Sequence, residues 1–501
     1  MWGPGVSVQP VRDVAVIDVG SNSVRLVLYR VQGRAIWTVF NEKVLAGLGR
    51  DMTRTRRLAP EGVAAALGAL RRFRAVLDGV KPDDILTAAT AAVRDAEDRL
   101  DFIGRVRGET GFRLRVLSGE DEARYAALGV AAGAPGADGV VGDLGGSSLE
   151  LIRLQRGIPA GGVTLPLGPF SLGLVRPFDA AALELGARKV IAPYAERFRT
   201  ETFHAVGGAW RNLALLNMNL SSYPLQVVHQ YEMSAGEALS AARFIAQQSK
   251  GSLERVQGLN KKRAETLPAA AVVLQALIEQ LGVRRVAVSA YGVREGLLFE
   301  AMSPDVREHD PLVEGCATLA AQDATAADLG PGLEAWLAPL WSGLPPLFKP
   351  ERETTLLAAA SRLASLGAHL HPDHRADLVF EQVLRAPIAG QTHAERAFLA
   401  IAAFNRYTAA TTNPDPGAIA RLLSPDQVAR ARALGAALRL GCDLSGRSAA
   451  LLKPATLALD RTDLTLTVKS ASADMLLGEQ TAKRAGQLAD ALGLTLSIKT
   501  R

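Results

Sequence analysis

The sequence predicts two α/β halves built on one plan, then an all-helical domain and a small α+β end piece. Three observations carry this. A strand-turn-strand segment rich in Gly and Ser occurs twice, with Asp18 and Asp143 at equivalent places 125 residues apart. Apolar residues recur at helical spacing from about residue 305 to about 453. Strict alternation returns in TLALDRTDLTLTVK beyond Pro454. The expected divisions are therefore 1–130, 131–304, 305–453 and 454–501.

In the first hairpin, VAVIDVGSNSVRLVLYR, an apolar strand Val14–Val19 turns through Gly20, Ser21, Asn22 and Ser23 into an alternating strand Val24–Val31. The copy is GVVGDLGGSSLELIRLQ, in which Gly145 and Ser148 stand where Gly20 and Ser23 stand in the first. Each is followed by one more strand-like run, Ala35–Val44 and Ile158–Leu165. An acid at a strand end followed by small residues leaves backbone amides free to face an anion, and serine hydroxyls add donors. One such loop is compatible with a plain turn. Two at matching positions predict a phosphate gripped from both sides, with Asp18 and Asp143 able to hold a hydrated Mg²⁺ against its oxygens.

Between the copies, the helix that starts at Pro60 and runs to about Gly79 is scaffold. In DDILTAATAAVRDAED a short strand leads to Thr90 at a helix start with Arg94 a turn on, a place either for an anion or for an ordinary cap. FRLRVL, residues 112–117, reads as a strand. The helix SGEDEARYAALGV after it opens with Glu120, Asp121 and Glu122. Ser118 with Asp121 resembles a capping box and the helix dipole suits acids there, but capping does not need Glu122. Facing other carboxylates in a cleft, Glu122 would have its pKa raised by like-charge repulsion and would serve as a general base.

Composition sets outer bounds. With 501 residues, 48% hydrophobic and 22% charged, the chain can bury several cores and is not of disordered type. A net charge of +6 permits a polyanionic partner, while 5% aromatics disfavour base-stacking platforms, so no nucleic-acid partner is expected. The amino end MWGPGVSVQP lacks a leader pattern and no run is long enough for a membrane helix, so a cytoplasmic location and no membrane partner are expected. Cys316 and Cys442 have neither metal nor disulfide spacing and are read as inert core thiols. The basic clusters Arg54, Arg56, Arg57 and Lys261, Lys262, Arg263 read as solvated faces, with guidance of a polyanion as the alternative.

Six segments, DVGSNSVRL, ATAAVRDA, SGEDEARYAALGV, GDLGGSSLEL, AVGGAWRNLA and YGVREGLL, occur in the order found in the exopolyphosphatase and guanosine pentaphosphate phosphatase family, which residues 13–300 resemble. The resemblance implies two actin-like, ribonuclease-H-type lobes around a cleft and release of orthophosphate from a polyphosphate end with Mg²⁺. It does not separate Mg²⁺ from Mn²⁺ or exclude a K⁺ requirement. Carried over, Glu122 is the general base; Asp143, with Glu150 and Asp18, is metal-associated. Ser21, Asn22, Ser23, Gly145, Gly146, Ser147 and Ser148 hold phosphate, Arg94 faces it, and Gly207 with Gly208 closes the site. Two departures stand out: Ser147 where a third glycine is usual, which is expected to narrow the space, and Tyr291-Gly292 where two small residues are common. The resemblance also implies a homodimer through the helical domain, itself similar to metal-dependent HD phosphohydrolases. Here His369, His371, His374 and His393 lack the adjacent His-Asp pair, which argues for packing and against metal. Competing readings are a guanosine pentaphosphate 5′-phosphohydrolase, a non-catalytic polyphosphate or alarmone regulator, and an actin-like ATP-dependent kinase, for which no adenosine pocket is recognisable.

Overall fold

The computed structural model describes residues 10–172, 178–256, 259, 264–323 and 327–501. Lys261, Lys262, Arg263 and most of the amino-terminal decapeptide lie outside them. Two compact units emerge, one of Val11–Val31 with Ile36–Glu308, the other mainly His309–Arg501.

The first unit opens with strands β1 (Val11–Val19), β2 (Val24–Gln32) and β3 (Ala35–Val44), then helices α1 (Met52–Thr55) and α2 (Pro60–Val80). Next come β4 (Asp84–Ala89), α3 (Ala91–Asp95), α4 (Arg99–Thr110), β5 (Arg115–Val116) and α5 (Gly119–Gly133). The second half runs β6 (Gly139–Leu144), β7 (Leu149–Gln155), β8 (Ile158–Leu165), α6 (Ala180–Ile191), β9 (Thr202–Val206) and α7 (Gly208–Leu220). It closes with β10 (Tyr231–Ser234), α8 (Ala235–Ala246), α9 (Lys250–Glu254), α10 (Leu267–Leu281), β11 (Arg285–Val288) and α11 (Val293–Ala301).

The first sheet has the order β3-β2-β1-β4-β5. Read in the same sense the second is β8-β7-β6-β9-β11, with β10 added beyond β11. In each, the opening strand pairs in parallel with the fourth, β1 with β4 and β6 with β9. The repeat seen in the sequence is thus a repeat of topology. The central strands are apolar because helices cover both faces of a parallel pair: Ala15, Val16 and Ile17 are fully buried, as are Val140 and Val141. The first core gathers Ile17, Leu26, Phe73 and Phe102. The second gathers Phe203, Trp210, Leu213 and Leu277, with Phe203 and Trp210 edge to face at 5.6 Å and the indole N–H donating to the Ala270 carbonyl.

A division at residue 130 is too simple, because α11 returns from the second half to the first sheet. Leu297 and Leu298 on α11 pack with Val14, Val27, Tyr29 and Tyr125. Two glycines let α5 and α11 touch backbone to backbone: a Cβ on Gly129 would stand 2.1 Å from the Gly292 carbonyl oxygen, and one on Gly296 would stand 1.9 Å from that of Tyr125. The expected strand over 112–117 shrinks to Arg115–Val116, the two residues that reach β4.

In the other unit Thr392 and Ser424 start helices with reciprocal capping boxes, closed by Glu395 and Gln427. Residue 454 does not separate a unit. The strands Ala455–Leu459, Asp463–Val468 and Thr495–Thr500 form one small sheet. Trp336 donates to the Ala455 carbonyl, and Arg484 on the helix Glu479–Leu492 pairs with Asp443 at 2.8 Å. The end piece therefore shares a core with the helices. His369, His371 and His374 are exposed and His393 is buried at its helix start. No helix among the described residues is long and apolar enough to cross a membrane.

Candidate active site

Both Gly/Ser turns close in the same way. The Gly20 amide donates to the Ser23 carbonyl at 2.9 Å, and the Gly145 amide to that of Ser148 at 2.9 Å. The two turns confront each other so closely that a Cβ on Gly146 would lie 3.3 Å from the Ser21 Cβ. Gly49 sits beside them, its amide donating to the Ser21 carbonyl at 2.8 Å. Space is tight there: a Cβ would stand 3.0 Å from the Ser21 Cβ and 3.4 Å from Ser147 Oγ, so a side chain would push the turns apart by a few tenths of an ångström.

A cavity of about 170 Å³ lies between the turns, lined by Asp18, Ser21, Asn22, Ser23, Thr90, Glu122, Asp143, Gly145, Gly146, Ser148, Gly207 and Gly208. Gly207 holds φ +108°, and a Cβ on it would meet the Leu144 carbonyl oxygen at 2.6 Å, so only glycine turns β9 into α7 here. That turn aims the start of a thirteen-residue helix at the cleft, a favourable end for an anion. The helix after Thr90 is a single turn, Ala91–Asp95, and Thr90 makes no side-chain cap. Its dipole is too short for the anion attraction expected from the sequence, so Thr90 contributes as a cleft-lining hydroxyl.

Ser118 caps α5 by accepting from the Asp121 amide, which leaves Glu122 to turn inward. Glu122 is 6% exposed and its pKa is pushed up to about 7. Burial is the main cause; Arg94 opposes it, and Asp143 and Asp18 add to it. Like-charge repulsion, the cause expected from the sequence, is the smaller contribution. Arg94 donates to Glu122 Oε2 at 2.9 Å and to the Leu117 carbonyl at 3.3 Å, which fixes the carboxylate's direction. Burial likewise pushes Asp143 up to about 6, with Arg211 opposing and Asp18 reinforcing. Asp18 accepts from Arg294 at 2.9 Å.

Asp143 and Glu150 are direct partners across the β6–β7 pair. Glu150 is 1% exposed, and burial followed by the charge of Glu122 holds its pKa well above the carboxylate range, against the Ser148 hydroxyl, which lowers it. It lies behind the cavity wall rather than on it. Arg94 and Ser147 also face elsewhere, onto an adjoining cavity. Ser147 thus does not narrow the main cleft. At the other departure, Tyr291 stacks on His229 with ring centroids 4.9 Å apart.

The raised pKa of Glu150 has a consequence for stability. Its folded pKa exceeds the unfolded one, so the folded state holds the extra proton and stability falls as pH rises above the ordinary Glu range, by at most about 1.4 kcal/mol per pH unit. Glu150→Gln removes that slope. In chelator-containing buffer the variant should melt with wild type near pH 4 and above it at pH 8, with the gap widening as pH rises; a gap of opposite sign in thermal melts would contradict the buried placement.

Four cations on the cavity wall were not singled out in the sequence: Arg25, Lys43, Arg211 and Arg294. Arg25 was the most legible, since the 125-residue repeat sets it opposite Glu150 in the hairpin plan. Burial, then the charges of Arg294 and Arg211, pushes its pKa down to about 10. Arg54, Arg56 and Arg57 are exposed and within ion-pair reach of Asp51, Glu97 and Asp98, a solvated face.

Mg²⁺ needs only one or two carboxylates when phosphate and water supply the remaining oxygens. Asp18 and Asp143 line the cavity, whereas Glu150, the third acid expected at a metal, lies behind its wall and holds its proton. Among the described residues no group of three or more His, Cys, Asp or Glu side chains is gathered for a metal. The donor set suits a cation shared with a phosphate.

The profile of the Ppx/GppA phosphatase family matches residues 27–304, and that of the exopolyphosphatase C-terminal domain matches residues 347–498. The crystal structure of the Aquifex aeolicus member of the Ppx/GppA family is similar at 25% identity and a TM-score of 0.52, covering 59% of this chain and 100% of that one. An exopolyphosphatase from Cytophaga hutchinsonii is similar in fold at 21% identity and a TM-score of 0.53, covering 57% of this chain and 97% of the other.

Proposed function

The chain belongs to the Ppx/GppA phosphatase family, with two actin-like lobes around its cleft, and on that premise we propose that it is an exopolyphosphatase. It removes terminal phosphates from inorganic polyphosphate by attack of water. The observation that carries this reading is the meeting of the two Gly/Ser turns over a buried Glu122 in one cation-walled cavity.

In this mechanism the turn amides and the hydroxyls of Ser21, Ser23 and Ser148 hold the terminal phosphoryl oxygens, and Arg25, Lys43 and Arg211 neutralise the chain behind it. A loose phosphoryl-transfer transition state needs mainly such positioning and charge. Glu122, aimed by Arg94, takes a proton from water as its oxygen bonds to phosphorus. The bridging P–O bond breaks, its electrons stay on the shortened chain, and orthophosphate is formed. A divalent cation, held by Asp143 with Asp18, would supply further charge neutralisation at the phosphate oxygens. In the cytoplasm the buried Cys316 and Cys442 stay reduced.

Guanosine pentaphosphate requires the same phosphate grip. Orthophosphate release from long polyphosphate and from guanosine pentaphosphate, measured side by side, separates the two. Polyphosphate is expected to give the higher kcat/KM, and release from both should stop with chelator and return with added Mg²⁺. Faster release from guanosine pentaphosphate would move the assignment to the nucleotide. Tight binding of either without release would make the protein a sensor.

A further inference from the structure

A second cavity, of about 300 Å³, adjoins the first. Ala91, Ser148 and Phe170 line both, so these side chains mark the boundary at which the two meet. The Arg94–Glu122 ion pair, at 2.9 Å, spans it: Glu122 lines the main cavity and Arg94 the second. On the hydrolytic reading the second cavity begins at the place where water attacks phosphorus and orthophosphate is formed.

Their walls differ in charge. The main cavity carries Arg25, Lys43, Arg211 and Arg294 against Asp18, Glu122 and Asp143, and its several cations suit a long polyanion. The second is lined largely by small and apolar groups such as Met52, Ala92, Leu165 and Phe170, and Arg94 is its one cation among the described residues, paired with Asp95 at 3.1 Å. A polyphosphate chain would find one positive partner there, whereas a single small anion needs no more. The volume suffices for several waters at roughly 30 Å³ each.

We propose that the second cavity is the route by which orthophosphate leaves the reacting centre while the shortened chain stays seated in the main cleft. The inference rests on the hydrolytic reading above. It gives Arg94 a second use: once Glu122 has accepted a proton, its hold on the guanidinium weakens, and Arg94 is then the nearest cation on the way out.

The test introduces one thiol at the second cavity, Met52→Cys, in a protein whose own Cys316 and Cys442 are buried. Met52 stands on the wall of the second cavity and not of the first. Benzyl methanethiosulfonate then plugs the cavity, and dithiothreitol removes the plug, so each sample is its own control for folding. Total orthophosphate is read by acid quench and free orthophosphate by a fluorescent phosphate-binding reporter. On long polyphosphate the plugged enzyme should show a burst of about one orthophosphate per site and a steady rate reduced about tenfold or more, because release now limits turnover. On tripolyphosphate the loss should be much smaller, since the pyrophosphate left behind vacates the main cleft and opens the front route. Reduction should restore the original rate. An unchanged rate after complete labelling overturns the proposal, as does an equal slowing of quenched and free orthophosphate without a burst. An unlabelled protein that releases no orthophosphate from any phosphoanhydride is a different result, and defeats the hydrolytic assignment itself.

Discussion

Glu122→Gln is expected to lower kcat for orthophosphate release by on the order of 10² to 10⁴, with KM little changed. Glutamine keeps the shape and leaves an oxygen for Arg94, which donates to Oε2 at 2.9 Å, but it cannot accept a proton from water. The loss therefore falls on the transition state and not on binding. The pH dependence supplies an independent readout. Burial lifts the Glu122 pKa to about 7, so the base form is the majority species only above that pH. In the wild type kcat/KM should rise about tenfold per unit below pH 7 and level off above it, since kcat/KM reports the free enzyme. The variant should lack this limb. Its fold should be no weaker at pH 8, because a residue whose folded pKa is raised disfavours the folded state once ionised. A variant with undiminished turnover would remove Glu122 as the base, and a raised KM with unchanged kcat would make it a binding group.

The parts of the molecule visible in the sequence are those set by local periodicity. Strands Ala35–Val44 and Ile158–Leu165 have the expected ends, since alternation is a property of single segments. The meeting of the two turns was also legible, because the repeat forces both halves to use one strand order. What was not legible depends on distant partners. FRLRVL has a strand's composition, but only Arg115 and Val116 find β4 to pair with. The Arg211 and Arg294 side chains reach the cleft because α7 and α11 begin there; both stand in the segments AVGGAWRNLA and YGVREGLL, but helical spacing alone does not tell them from surface arginines. Arg25 is different: it occupies the repeat position of Glu150, so the two hairpins put opposite charges at equivalent places. The duplication thus supplies one hairpin with a cation for the substrate and the other with an acid beside Asp143, a division of labour on one inherited plan.

The largest loss of stability is expected from Gly296→Val, in the middle of the α5–α11 contact. Even the first side-chain carbon would stand 1.9 Å from the Tyr125 carbonyl oxygen and 3.1 Å from the Gly129 amide nitrogen, and both neighbours are backbone that cannot rotate away. The helices must separate. Overpacking of this kind costs about 1–3 kcal/mol and more where the backbone has to move. The damage reaches the chemistry through α11, whose Arg294 donates to Asp18 at 2.9 Å and whose Glu295 accepts from the Gly292 amide at 2.9 Å. Pulling α11 outward withdraws Arg294 from the cleft, so turnover should fall together with the melting temperature and stay low in the fraction that remains folded. Gly236→Ala is the matched control, because a Cβ there meets no atom within 4 Å on α8 and a helical Gly→Ala change is neutral or stabilising by up to about 1 kcal/mol. Equal melting temperatures and equal turnover for the two variants would mean that α5 and α11 do not lie in backbone contact, and the path from the helix crossing to Asp18 would have to be abandoned.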